Sequence, residues 1–269
     1  MAKCKMIIFS DIHYSPTAKP DGKKLTEYAI PLLEKLTDKI NNDIKPDVVF
    51  CLGDIIEDND DKVNDTKNLQ DIMSYINKIN VPTHIAIGNH DIRAFDNEKE
   101  LEEILGMDKS TYSIDINGYH FVVLGLNVDN TFDKSGGGIP RTHSLSSENI
   151  QWLEEDLKQN TKPTIIISHY GLSNDTMAKN QWFNDIPNDA LYENRQTIKD
   201  IIKASGCNVI ALFNAHQHWT KSKIEDGLTY FTVGSLTENV NLDNVPDGVY
   251  FIVELEDNNI QVLDRHIRL

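Results

Sequence analysis

The stretch KMIIFSDIH, residues 5–13, decides how this chain is read. Four consecutive apolar residues, Met6 to Phe9, predict a short buried strand, and the run stops abruptly at Asp11 and His13. Positions i and i+2 of a strand face the same way, so this pair offers two donors to one point. The same event recurs along the chain. DVVFCLGD (47–54) ends at Asp54 after Gly53, and THIAIGNHD (83–91) ends at Asn89, His90 and Asp91 after Gly88. TIIISHY (164–170) reaches His169 after Ser168, and LFNAHQHW (212–219) ends on His216 and His218, again at i and i+2. Parallel strands place such ends on one edge, and that carboxyl edge is where open α/β sheets bind ligands.

Helical periodicity fills the intervals. LTEYAIPLLEKLTDKIN (25–41) carries Leu25, Tyr28, Leu32, Leu36 and Ile40 on one face, with a boundary or kink at Pro31. Further helices are predicted over 66–79, from Ser146 onward with Ile150, Leu153 and Leu157 facing inward, and near 193–205. This alternation favours parallel βαβ units. Residues 110–127 differ: two strand-like runs meet at Asn117-Gly118, a dipeptide suited to a type I′ turn, so an antiparallel hairpin is expected. The tail reads as three consecutive strands, LTYFTVGS, GVYFIVEL and NIQVLDRHIRL. Two mixed β-sheets packed together, with helices outside, accommodate this order. The expectation is an α/β fold (α+β by some schemes) in one domain over 1–269, with an insert at 170–192.

Composition narrows the function classes. Of 269 residues, 39% are hydrophobic and 25% charged, which suits a soluble globular protein with a sizeable core. A formal net charge of −16 repels duplex nucleic acid and anionic membranes. Cys4, Cys51 and Cys207 are far apart in apolar runs and read as small buried residues rather than a disulfide framework or a metal cluster. The N-terminal stretch lacks the length and cleavage site of a signal peptide, and no run approaches a membrane span, so a cytoplasmic protein is expected.

Clustered His, Asp and Asn suit metal binding. Asp11-Ile12-His13, Gly53-Asp54, Gly88-Asn89-His90-Asp91, His169 and Ala215-His216-Gln217-His218 resemble, in chain order, the D-x-H, G-D, G-N-H-D/E, H and G-H-x-H motifs of the calcineurin-like metallophosphoesterases. The match runs from residue 7 to about 236. The resemblance implies a four-layer αββα sandwich with a two-metal site at one rim. It implies that Asp11, His13 and His218 hold one metal, that Asn89, His169 and His216 hold the other, and that Asp54 and a hydroxide bridge both. A shared carboxylate and hydroxide reduce the repulsion between cations about 3.5–4 Å apart. Mixed imidazole, carboxylate and amide ligands suit two divalent transition metal ions, Mn, Fe or Zn first, then Co or Ni. By the same resemblance His90 faces the leaving group and gives it a proton or hydrogen bond. Asp91 either orients His90 or serves as a turn or N-cap residue.

The chain also departs from the family pattern. Ala215 stands where the family has glycine, and would be strained if that position needed positive φ. No arginine follows the G-D block, unlike the protein serine/threonine phosphatase branch. The acidic run EDNDDKVND (57–65) lacks the EF-hand offsets and reads as a solvated loop. SGGGIPRTH (135–143) is either a lid bringing Arg141 or His143 to a phosphate or a plain surface loop. This loop before a Q-W-L helix resembles the ADP-ribose/CDP-alcohol diphosphatase branch, which carries glutamine at the position of His13. Tyr170, Trp182, Phe183 and Tyr192 either line a substrate pocket or pack the insert. His84, His120 and His266, away from the motifs, read as structural or exposed.

The expected function is metal-dependent hydrolysis of a phosphodiester or nucleotide diphosphate, by in-line attack of the bridging hydroxide. The alternatives are a phosphomonoesterase or a non-catalytic scaffold that keeps the fold and binds a protein partner. A nuclease is disfavoured by the charge and by the lack of a Lys/Arg-rich stripe.

Overall fold

The computed structural model describes residues 2–17, 22–59, 61–127 and 143–269. The chain runs β1 (Lys3–Phe9), α1 (Ala29–Lys39), β2 (Val48–Cys51), α2 (Lys62–Ile76), β3 (Thr83–Ile85), α3 (Asn89–Ile92) and α4 (Glu98–Leu105). It continues with β4 (Tyr112–Ile116), β5 (Tyr119–Leu124), α5 (Ser147–Gln159), β6 (Thr164–Ser168), α6 (Pro187–Ala190) and α7 (Arg195–Ser205). The last elements are β7 (Val209–Asn214), β8 (Lys221–Glu225), β9 (Leu228–Thr232), β10 (Val249–Glu256) and β11 (Asn259–His266).

One sheet has the order β11-β10-β1-β2-β3, the other β4-β5-β6-β7-β9-β8. Strands β1, β2 and β3 are mutually parallel, as are β5, β6, β7 and β9, while the outer strands pair antiparallel. Side-chain alternation along β1 separates the layers. Met6 and Ile8 meet Phe121, Ile165 and Phe213 between the sheets, whereas Ile7 and Phe9 meet Leu32 and Leu36 of α1 and Leu69 and Ile72 of α2. On the far side Val122, Ile166 and Leu212 pack under Leu153 of α5 and Ile198 of α7. The result is the αββα sandwich.

Local chemistry explains the element boundaries. Pro31 lies in the first turn of α1, where its missing N–H forfeits no helical bond. Asn117 and Gly118 both have positive φ (49° and 88°), as a type I′ turn needs. Ser146 caps α5 by accepting from the Asn149 amide at 3.1 Å. Asp61 caps α2 in the same manner, so this helix begins at Lys62, inside the run expected to be a solvated loop. The three expected tail strands divide between the sheets: β9 joins β7, and β10–β11 join β1. Strand β8 is an addition to the expected set. Its residues alternate in exposure and it turns into β9 at Asp226-Gly227, another pair with positive φ (53° and 80°).

Candidate metal centre

The carboxyl ends of β1, β2, β6 and β7 and the turn after β3 converge on one rim. Strand alternation is not what aims the ligands. β1 ends at Phe9 and β7 at Asn214, before the D-x-H and H-x-H residues begin. Asp11, His13, Asp54, His216 and His218 instead adopt left-handed backbone (φ 52°, 48°, 49°, 66° and 49°). Non-glycine residues pay for that conformation with strain, which concentrates at functional sites. Ala215 is not among the residues with positive φ, so the departure from glycine there brings no strain.

The rim is bound together through the backbone. Asp11 and His13 donate to the carbonyls of Gly53 and Asp54 at 3.0 Å each. A Cβ on Gly53 would meet Gly88 N at 2.4 Å, and one on Gly88 would meet Asp54 N at 2.2 Å. These glycines are therefore required by close backbone approach. Asp91 is fully buried and accepts from the amides of Asp54, Ile55, Ile56 and Gly88 at 2.8–3.2 Å. Of the two roles expected for Asp91 the turn role is the one seen: it ties the two glycine turns together, and the residue holding His90 is Asp58, whose carboxylate contacts His90 Nδ1. Burial, then the charge of Asp54, push the Asp91 pKa up to about 7 against the pull of its amide donors.

Two groups of ligand-type atoms share Asp54: Asp11, His13, Asp54 and His218, and Asp54, His169 and His216; a third, His13, Glu57 and His90, shares His13 with the first. In the first, His13 Nε2 is 3.0 Å from His218 Nε2, and Asp11 Oδ1 is 3.2 Å from His218 Nε2 and 3.8 Å from His13 Nε2. Asp54 Oδ2 lies 3.9 Å from His13 Nε2 and 3.3 Å from His169 Nε2, between the groups. Asn89 completes the second, its amide 3.2 Å from His169 Nε2 and 2.8 Å from His216 Nδ1.

The outer nitrogens settle which atoms are free to bind. His218 Nδ1 is 2.6 Å from Glu238 Oε2, His169 Nδ1 2.6 Å from Leu52 O, and His216 Nε2 2.9 Å from Asp189 O. His13 Nδ1 is 2.8 Å from Glu57 Oε2, at an angle bent away from a good hydrogen bond. Each imidazole thus spends one N–H on an outer acceptor and turns its other nitrogen inward, the usual arrangement behind a metal ligand. Both carboxylate oxygens of Asp11 are buried without a well-formed hydrogen bond among the described residues. A buried carboxylate left so is costly unless a cation compensates. Ligand bonds of about 2.1 Å put neighbouring donors roughly 3.0–3.5 Å apart, close to the separations seen here. These residues fit two ions.

Asn89 also shows the site's dependence on charge. Its amide lies between the two imidazoles and a second pair of groups, Arg93 Nη2 at 2.7 Å and His90 N at 3.3 Å. With the amide nitrogen toward the imidazoles and the oxygen toward Arg93, the amide donates to an inward nitrogen that carries no proton and accepts from Arg93; an ion between His169 and His216 requires the oxygen to face it instead. Protons compete for the same places. Burial works against charge on His169 and His218, yet Asp54 and Asp11 raise them to about 9 and about 10. Burial, then Lys24, lowers His13 to about 4, and burial, then His169, holds His216 well below its ordinary value. Burial also opposes ionisation of Asp54, but His169 and His90 outweigh it and keep that carboxyl well below the usual range. Ion binding competes with the protons that these carboxylates favour on the imidazoles.

His90 lies at the rim, its ring edge-on to His13 at 4.9 Å and its amide donating to Asp54 Oδ1 at 2.8 Å. Arg93 Nη1 lies 3.2–3.3 Å from both ring nitrogens and 3.2 Å from Asp58. Trp182, half-buried, has its ring 5.8 Å from that of His218. Tyr170 is buried, edge-on to His216 at 4.2 Å, and Tyr192 is buried with its hydroxyl donating to Gly125 O at 2.7 Å; both support the wall behind His216 rather than line a pocket. The ring of His143 packs on Tyr170 at 4.9 Å, and Arg141 lies outside the described residues.

Glu57, Asp58, Arg93 and Glu238 were not singled out in the sequence. Glu57 and Asp58 sit in the acidic run, which is therefore not a solvated loop at its start: Lys24 reaches both oxygens of Glu57 at 2.6 Å. Their position three and four residues after Asp54 was the available signal. Glu238, in SLTENV, carries no such signal.

The model of the calcineurin-like phosphoesterase family matches residues 4–220. The chain belongs to the calcineurin-like phosphoesterase family. Membership supports metal-dependent phosphoester hydrolysis, and the Asp/His groups suit two divalent ions. Among solved structures, a dimetal phosphatase from Danio rerio superposes with a TM-score of 0.73 at 14% identity, covering 97% of this chain and 98% of that one. GAP50, described as the anchor in the inner membrane complex of Plasmodium, gives 0.60 at 11% identity over 100% and 90%. A phosphopantetheinyl hydrolase from Mycobacterium tuberculosis gives 0.54 at 13% over 87% and 90%. At these identities the likeness is one of fold. No curated protein matches this calcineurin-like phosphoesterase in sequence. Among its described residues no helix is long and apolar enough to cross a membrane.

Proposed function

We propose that the chain hydrolyses phosphoric esters with two divalent ions, preferring phosphodiesters or nucleotide diphosphates to monoesters. One observation carries this reading: His13, His169, His216 and His218 each occupy one nitrogen with an outer oxygen and turn the other toward a shared Asp54. Asp11, His13 and His218 would hold one ion and Asn89, His169 and His216 the other, with Asp54 available to both. Bound there, the ions supply positive charge for the phosphoryl oxygens and a water acidic enough to attack near neutral pH.

The chain's own residues do the rest. His90 gives a proton from Nε2 to the leaving oxygen while Asp58 holds the Nδ1 side of the ring. Arg93, Lys23, Lys24 and Trp182 surround His90 and the first ion's histidines with cationic and aromatic groups. That chemistry suits an anionic, planar leaving group and supports the preference for nucleotide-like substrates. A scaffold that only bound a protein partner would have no use for inward imidazole nitrogens or for the buried Asp11.

Purified protein supplied with Mn²⁺ is expected to bind two equivalents and to hydrolyse bis-(p-nitrophenyl) phosphate faster than p-nitrophenyl phosphate. A folded protein holding two ions yet inert toward diesters, diphosphates and monoesters rejects the reading.

A further inference from the structure

The two halves of the centre are backed differently. His13 and His218 rest on carboxylates, Glu57 at 2.8 Å and Glu238 at 2.6 Å. His169 and His216 rest on backbone carbonyls, Leu52 O at 2.6 Å and Asp189 O at 2.9 Å. The first half also has an anionic ligand of its own, Asp11, where the second has the neutral Asn89. A carboxylate behind an imidazole makes the ring a stronger donor and fixes its orientation. At Glu238 it also adds a negative charge one ring away from the ion, whereas Lys24 offsets the charge of Glu57.

Glu238 is connected further. It is buried, its amide donates to Ser235 Oγ at 3.1 Å, and the same Oγ donates to the carbonyl of Asp11 at 2.8 Å. Its second carboxylate oxygen, Oε1, accepts from Trp182 Nε1 at 2.9 Å. Trp182 lies under Lys23, whose Nζ is 4.4 Å from the ring centroid. One carboxylate thus connects a ligand of the first ion to an indole in the 170–192 segment.

We infer that the two halves fill in order, that Glu238 is the positioning residue that makes the Asp11–His13–His218 half the tighter one, and that Trp182 senses this half alone. This rests on the proposed two-ion reading. Cation charge drawn to His218 Nε2 pulls on the Nδ1 proton, strengthens its bond to Glu238 and shifts charge away from Oε1. The Trp182 indole hydrogen bond then weakens, and indole emission responds to that change. No comparable connection leads from Leu52 O or Asp189 O to a tryptophan among the described contacts.

The test is a titration of metal-free protein with Zn²⁺, which has a filled d shell, followed by calorimetry and tryptophan emission. Two binding steps are expected, with the emission change complete after the first equivalent. Trp182→Phe removes the change and keeps two equivalents bound, whereas Trp219→Phe keeps the change. Glu238→Gln, nearly isosteric, weakens the first step about 10–100-fold and leaves the second within about threefold of wild type, so the second step also reports an intact fold. Should Glu238→Gln fail to fold, the order of emission in the wild-type titration still decides. Emission that follows the second equivalent, equal weakening of both steps in Glu238→Gln, or a full signal in Trp182→Phe overturns the inference while two bound equivalents leave the hydrolase reading standing. Binding of no zinc rejects that reading and the inference with it.

Discussion

His120 and three histidines of the metal centre, His169, His216 and His218, sit at opposite ends of the same sheet. His120 pairs with Thr164 at the amino end of β5 and β6, whereas His169 follows the carboxyl end of β6, about 13 Å away at ordinary strand rise. Both neighbourhoods contain imidazole and carboxylate, so composition does not separate them. Geometry does. Asp115 meets His120 Nδ1 at 2.9 Å and Asp156 meets Nε2 at 2.8 Å, one acceptor on each side of the ring. That arrangement holds a proton. At the carboxyl edge each ring has one outer acceptor and one nitrogen turned toward its neighbours' nitrogens and carboxylates, an arrangement that repels itself until a cation arrives.

The sharpest way to break this contrast is to remove one carboxylate from each end. Asp54→Ala deletes the carboxylate that both ligand-type groups share, and also the acceptor for the His90 amide. Turnover is expected to fall to background, a larger loss than from any other single change, and metal analysis should find fewer than two equivalents. Asp156→Ala at the amino end is expected to leave turnover within twofold and to lower stability by about 1–3 kcal/mol, the cost of stranding its partners. Comparable activity in the two variants would erase the distinction.

A second comparison lies within the rim, between a residue proposed to hold ions and one proposed to move a proton. His90→Ala is expected to reduce kcat about 10²–10⁴-fold while two equivalents of metal stay bound. Asp58→Asn, which removes the carboxylate at Nδ1, should give a smaller loss of kcat with both equivalents of metal still bound. Loss of metal from His90→Ala would move His90 from proton transfer to ligation.

Much of this was legible because strand ends and ligands coincide. Apolar runs placed β1, β2, β6 and β7, and the polar residues that follow them are the ligand-type groups brought together at the rim. What remained hidden has physical causes. Alternation along β1 does not continue into Asp11 and His13; left-handed backbone aims them, a conformation that two-residue spacing alone does not disclose. Strand β8 is a polar edge strand whose Ile224 is 76% exposed, so it lacked the apolar run that marks a central strand, although Asp226-Gly227 was a usable turn signal. Periodicity likewise does not reveal which sheet a strand joins, hence the parting of β9 from β10 and β11. Glu57, Asp58 and Glu238 act through contacts with residues distant in sequence, and a carboxylate 20 positions past His218 looks like any surface acid until the fold closes.

The smallest expected effect concerns the proton held by His120. Burial lowers its pKa, but the bonds to Asp156 and Asp115 outweigh burial and raise it above the ordinary value of about 6.5. A histidine whose pKa is higher in the folded than in the unfolded chain contributes stability in full below the unfolded value. That contribution disappears as pH rises through the folded value. Charged hydrogen bonds of this kind contribute roughly 1.5–3 kcal/mol when enclosed, and the exposure of Asp115 reduces the expectation here to about 1–2 kcal/mol. Denaturant unfolding of wild type and His120→Gln across pH 5.5 to 8.5 measures it. The metal centre titrates over part of the same range, but it is far enough from His120 for its contribution to cancel in the difference between the two proteins. That difference should be greatest at the acid end and shrink steadily toward alkaline pH. A difference that stayed constant would mean that His120 acts by packing alone, and that the amino edge holds a side chain in place rather than a proton.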